Sequence, residues 1–244
     1  MIDTLSISLN RLVPIVLAVG NHDVGLNSLS ETNISTASSD APLFFQYFPQ
    51  HFKQDNQGGN LAQIPDINER RTYFHHIFSG MIFYTLDSGY ISNFQGYQSR
   101  WLNDSLSKNN NLVKFVQYHA PSFASCAFQS NLEATANVQS LMFWNNLFDK
   151  YNVTTVYEHH NHLLKRTWRI KGYTENTNGT LYLGDGGWGD VNEKCSLNDE
   201  DFYATIQRKQ HVWVSQIGAI SINYTAIGVN GTIYDNDTIK LLNN

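Results

Sequence analysis

The rhythm of apolar and polar positions changes several times along the chain. LVPIVLAVG (12–20) is apolar on both faces, the pattern of a strand covered on two sides. Periodicity then fails between 24 and 70. That stretch is rich in Ser, Asn, Gln and Gly around an aromatic island, PLFFQYFP, and reads as an irregular excursion of the kind that borders a site. RTYFHHIFSGMIFYTLDSG (71–89) holds two β-rich runs split by Ser79-Gly80, a hairpin signal. QGYQSRWLNDSLSK (95–108) sets Tyr97, Trp101, Leu102 and Leu106 near helical spacing before a run of Asn. LVKFVQYH (112–119) predicts a strand ending at His119. A helix follows over 138–151, with Leu141, Trp144, Leu147 and Phe148 on one side. VTTVYEHH (153–160) reads as a strand. TLYLGDGGWGD (180–190) is a strand entering a Gly-rich loop, and the alternation over 210–235 predicts antiparallel strands. No repeat or linker divides the chain, so 1–244 reads as one mixed α/β domain with a β-rich end.

Composition narrows the function classes. With 244 residues and 41% hydrophobic content the chain can bury a sizeable core. A net charge of -5 and the lack of a basic stripe argue against nucleic acid as a partner. No apolar run approaches the roughly 18–20 residues needed for a membrane span, and the start, MIDTLSISLNRL, lacks the layout of a signal peptide. Sequons at Asn33, Asn103, Asn152, Asn178, Asn223, Asn230 and Asn236 suit a glycosylated protein that is secreted or sent to a lysosome or vacuole, although an Asn-rich chain produces some by chance. Cys126 and Cys195 are the only cysteines, and their spacing leaves open whether they pair.

Three predicted strands stop in the same chemistry. One ends in Asn21-His22-Asp23, one at His119, and one in Glu158-His159-His160-Asn161-His162. Ligand sites of α/β sheets gather where the carboxyl ends of neighbouring strands open into a crevice. His160 and His162 are two apart, so an extended backbone turns both towards one face. Neutral imidazoles with amide or carboxylate oxygens suit zinc, iron and manganese. GNHD alone is also a good turn, and a lone strand-end His is usually a satisfied polar group. Their joint occurrence after apolar β runs is what points to a metal or phosphate site.

GNHD (20–23), VQYH (116–119) and HHNH (159–162) resemble three signature blocks of the calcineurin-like metallophosphoesterases. The purple acid phosphatase branch is the most similar, with blocks that read GNH[DE], VxxH and GHxH. YTLDSG (84–89), GYQSRWL (96–102) and YLGDGGWG (182–189) resemble that branch as well, and His159 departs from it where the block usually has Gly. The resemblance implies a two-sheet β-sandwich flanked by helices (α-β-β-α) and hydrolysis of phosphate esters with two metal ions, Fe, Zn or Mn. It implies that Asn21, His119 and His160 ligate one metal and His162 the other. His22 would protonate the leaving group and Asp23 would orient its ring. Lys165 and Arg166 read as solvated rather than phosphate-binding, His75 and His76 as hairpin residues outside the site, and Asp185 as part of a structural loop.

The family's Asp and Gly-Asp blocks, which precede GNH[DE], have no counterpart before Gly20, where Asp3 is the sole acid. The expectation is therefore the C-terminal portion of a metallophosphoesterase domain, a fragment with an incomplete site. The alternative is a degenerate, non-catalytic relative that binds metal or phosphate.

Overall fold

In the computed structural model, the described residues are 15–24, 51–52, 70–127, 131–191, 197 and 201–241. The strands in chain order are β1 (His51–Phe52), β2 (Arg70–Arg71), β3 (Phe74–Phe78), β4 (Met81–Thr85), β5 (Val113–Tyr118), β6 (Thr155–Glu158) and β7 (Leu164–Thr167). After them come β8 (Ile170–Lys171), β9 (Thr174–Glu175), β10 (Leu181–Gly184), β11 (Tyr203–Gln207), β12 (His211–Ile217), β13 (Ser221–Gly228) and β14 (Ile233–Lys240). Helix α1 is Tyr97–Lys108. Helix α2 (Asn131–Ser140) runs through a π-turn, Leu141–Asn145, into α3 (Asn146–Tyr151).

Seven strands form the main sheet in the order β11-β7-β10-β6-β5-β4-β3. Its centre, β4, β5, β6 and β10, is parallel. Parallel strands need cover on both faces, and β5 shows it. Val116 and Tyr118 face the helices, in a core with Leu102, Leu106, Trp144 and Phe148. Phe115 faces the other way, against Ile222, Tyr224 and Ile239 of the three-stranded antiparallel sheet β12-β13-β14. Helices, main sheet and small sheet thus stack as layers, the sandwich expected from the sequence. Polar bonds also cross between the sheets. Tyr157 Oη and Ser215 Oγ are 2.6 Å apart, and Trp213 Nε1 donates to Gly184 O at 3.0 Å.

Several expectations need correction. Residues 15–20 pair in no strand, while 12–14 lie outside the described residues. Residues 15–20 approach the main sheet at β5, where Gln117 Nε2 donates to Val16 O at 3.3 Å, and residues 16–18 line the cleft described below. The helix expected over 138–151 is already helical from Asn131, because the polar first turns of α2 carry no apolar stripe to read. Most of the excursion at 24–70 is outside the described residues, but His51–Phe52 pairs antiparallel with Arg70–Arg71. Lys165 is not solvated: it is buried in the interior. Arg166 is largely buried too, held in a fork by Asp235 at 2.7 and 3.1 Å. His75 does sit outside the site, stacked on Trp101 of α1 at 5.8 Å.

The turn after β4 is organised by one buried carboxylate. Asp87 accepts from Tyr90 N (2.8 Å), Ile91 N (3.1 Å), Ser92 N (2.8 Å) and Thr72 Oγ1 (2.5 Å). Gln98 of α1 reads the same turn, accepting from Asp87 N at 2.8 Å and donating to Asp87 O at 3.0 Å. Burial pushes the Asp87 carboxyl up to about 6 against the pull of these donors. The folded chain then keeps a proton that the unfolded chain releases near 4, so this group's contribution to stability declines as pH rises from about 4 to 6. Asp87→Asn is expected to flatten that decline, and Asp87→Ala to cost about 2–4 kcal/mol by orphaning buried N–H groups. Urea melts of the three proteins between pH 4 and 7 check both.

Candidate active site

The parallel strands place their carboxyl ends side by side, and backbone bonds lace those ends together. His159 N and His160 N both donate to His119 O, at 3.1 and 2.9 Å. Leu86 N donates to Gln117 O at 2.9 Å, and Asp185 N to Glu158 O at 3.2 Å. The chain after β5 and the chain after β6 are therefore tied together.

GNHD folds as a short turn. Val24 N donates to Asn21 O at 3.3 Å, and the Asp23 carboxylate caps the turn by accepting from Gly20 N at 2.8 Å. Among the described residues Asp23 forms no hydrogen bond or ion pair with His22, so its visible role is to hold the turn from which Asn21 and His22 project. Gly20 is required by close approach: a Cβ there would lie 2.8 Å from the His119 ring.

This packing brings three side chains together. His119 Nε2 lies 2.8 Å from Asn21 Oδ1 and 3.1 Å from His160 Nδ1. Two ligands at right angles on a metal with bonds of 2.0–2.2 Å are about 3 Å apart, so the distances from His119 Nε2 to its two neighbours are compatible with shared ligation as well as with hydrogen bonding. Among the described residues no three His, Cys, Asp or Glu side chains form a group able to hold a metal. The third polar atom, beside the two His nitrogens, is the Asn21 amide oxygen, from a residue of none of those types. Burial, with the neighbouring histidines adding to it, pushes His119 well below its ordinary range and His160 down to about 4. Both rings are accordingly neutral near pH 7, the state that ligation needs.

A buried carboxylate lies behind the His160 ring. Glu133 of α2 is buried, with Oε1 4.0 Å from His160 Nε2, and Asn161 Nδ2 donates to the same oxygen at 3.2 Å. Carboxylates behind ligating histidines orient the rings. The sequence carried no signal for Glu133, since an acid in a first helical turn is ordinarily read as helix-end electrostatics. Behind the site, Glu158 Oε1 accepts from Tyr118 Oη (2.8 Å) and Ser122 N (2.7 Å), while Oε2 pairs with Lys165, which also donates to Phe123 O. This network holds the segment that follows His119.

His162 stands apart from the three. Its side chain is 39% exposed, and its Nδ1 is 3.4 Å from Asp190 Oδ2. His22 is exposed at the start of the short 3₁₀ turn His22–Val24. His159 is paired with Asp185: burial pushes its imidazole down, and the carboxylate more than reverses this and leaves it raised. A cleft of about 630 Å³ takes in His119, His159, His162, Asp185 and Asp190, with Trp188 and Trp213 on its walls. The exposed side chain of Trp188 was not singled out by sequence reasoning, because a Gly-rich loop reads as connection rather than as site.

No protein-family model and no curated protein matches this chain. Solved structures do match it. A purple acid phosphatase, PPD1, from yellow lupin (Lupinus luteus) seeds is similar at TM-score 0.69 and 15% identity, over 93% of this chain and 41% of that one. A structure of PhoD is similar at TM-score 0.58 and 9% identity, over 90% of this chain and 50% of its own length. GAP50, the anchor in the inner membrane complex of Plasmodium, is similar at 0.54 and 11%, over 70% of this chain and 54% of that one. At these identities the likeness is one of fold. The architecture is that of the metallophosphoesterase-type folds, and the chain spans about half or less of each of these structures.

Proposed function

We propose that this chain carries the metal-holding half of a phosphoesterase site and takes part in the hydrolysis of phosphate esters. The observation that carries the reading is the convergence of Asn21, His119 and His160 at distances compatible with ligation, on a fold shared with a purple acid phosphatase. Those three residues would hold one metal ion, and His162, beside Asp190, would serve a second. Iron, zinc and manganese all suit these donors. Bound metals supply a water of lowered pKa and neutralise charge on the phosphoryl oxygens.

The chain's own groups do the rest. The turn capped by Asp23 fixes Asn21 and aims His22, which gives its proton to the departing ester oxygen. The paired His159–Asp185 forms one wall of the cleft. His22→Asn is expected to lower turnover of an aryl phosphate roughly 10²- to 10⁴-fold with metal content unchanged. Parallel rate and metal analyses check this, and loss of metal along with activity would assign His22 to ligation instead.

A second reading has its own support, because the hydrogen-bond partner of the His162 side chain is Asp190 rather than a residue of the Asn21–His119–His160 group. A relative holding one metal, binding phosphate without turnover, fits that geometry. One metal per chain and no hydrolysis would establish it; two metals and hydrolysis would exclude it. Exposed sequon residues Asn178, Asn223, Asn230 and Asn236, with the disulfide-bonded Cys126, support passage through an oxidising secretory compartment. Among the described residues no helix is long and apolar enough to cross a membrane.

A further inference from the structure

The cleft beside the histidines is larger than a phosphate group needs. At about 630 Å³ it lies in the range of sites for organic ligands, roughly 300–1,000 Å³. One side of it is apolar, formed by residues 16–18, Val212 and Trp213. Trp213 has its indole N–H committed to Gly184 O at 3.0 Å and serves as fixed wall. Trp188 is different. The residue belongs to the lining of the same cleft and is 57% exposed, so much of its surface is uncovered.

The backbone just before Trp188 is held from both sides. A Cβ at Gly186 would lie 1.9 Å from His159 O and 2.4 Å from Asn161 O, so the turn before Trp188 presses directly on the histidine segment. A Cβ at Gly187 would lie 2.7 Å from Lys209 O, and His211 N donates to Gly187 O at 3.3 Å. The backbone that carries the indole is therefore clamped between the metal-ligand segment and the start of β12. An exposed tryptophan on a free loop would need no functional explanation. One carried on backbone fixed against His159 and Asn161, at a cleft lined by His119, His159 and His162, is placed to serve as a platform.

We infer that Trp188 stacks against the leaving group, so that the site selects phosphate monoesters of neutral aromatic alcohols over those of aliphatic alcohols. The inference rests on the phosphoesterase reading above. Flat rings gain from offset or edge-on packing against an indole beyond simple burial. The exposed Asp190 carboxylate belongs to the same lining and disfavours leaving groups that carry further phosphates, which excludes anionic rings.

The test is binding of phenylphosphonate, methylphosphonate and inorganic phosphate to the Mn²⁺-loaded protein by titration calorimetry. Phenylphosphonate is expected to bind roughly 2- to 12-fold more tightly than methylphosphonate. In W188A that ratio should fall to about one, and in W188F part of it should return. Trp188 is exposed, so W188A should keep the wild-type melting temperature, which verifies that the comparison is between folded proteins. Equal affinities in the wild type, or a ratio that survives W188A, overturn the inference while phosphate binding leaves the phosphoesterase reading standing. Failure of the metal-loaded protein to bind inorganic phosphate overturns both.

Discussion

Lys165→Met is expected to destabilise the protein by about 3–5 kcal/mol, the usual cost of stranding one member of a buried ion pair. Lys165 and Glu158 have side chains only 1% exposed and touch each other. Removing the ammonium leaves Glu158 charged, with only Tyr118 Oη and backbone N–H groups to compensate it. Burial pushes the Lys165 ammonium down from its usual range, opposed by Glu158, so the pair depends on the partner for its charge. Glu158→Gln together with Lys165→Met should recover most of the loss, because no uncompensated charge then remains. Urea denaturation of the single and double variants measures this. A single variant as stable as the wild type would show that the pair contributes nothing. The consequence reaches the site, because Glu158 also fixes Ser122 and Tyr118 around His119.

The second large effect concerns metal. His119→Ala should abolish stoichiometric binding, because His119 Nε2 is the donor that both Asn21 and His160 adjoin. Glu133→Gln should be milder. It touches no ligand within hydrogen-bonding distance, its oxygen being 4.0 Å from His160 Nε2, so the loss should stay near the 10–100-fold typical of an outer partner. Metal analysis after dialysis against a weak chelator separates the two. Equal retention of metal in His119→Ala and wild type would remove Asn21, His119 and His160 as the centre. The graded order, ligand first and partner second, is the signature of a built metal site rather than of a chance histidine cluster.

Much of this site was legible in the sequence because its carriers are local. Strand β5 ends in His119 and β6 runs into His159 and His160, and each apolar run announces its own polar terminus. The core pattern was equally local: β13 alternates, burying Ile222, Tyr224 and Ala226, and α1 buries Leu102 and Leu106 as its spacing predicts. The pairing of 12–20 was not legible. An apolar run needs a neighbouring strand to become one, and for 15–20 none is present among the described residues. Strand β7 was missed because LKRT has no β alternation of its own. It is a strand because β10 and β11 flank it, and its lysine is buried because Glu158 waits there.

By itself, then, the sequence determined most of the longer elements, the apolar faces that pack the layers, and the apolar runs that lead into Asn21, His119 and His160. These follow from periodicity and from residues within a few positions of one another. The tertiary structure alone decided that Asn21 meets His119 across 98 positions while His162 turns instead to Asp190, that Lys165 is interior, and that Glu133 stands behind His160. It also set Trp188 in the histidine cleft by pressing Gly186 onto His159. Each of these depends on contacts between segments distant in the chain. Such contacts are chosen by packing and by partnering of buried charge, and neither is written in any local pattern.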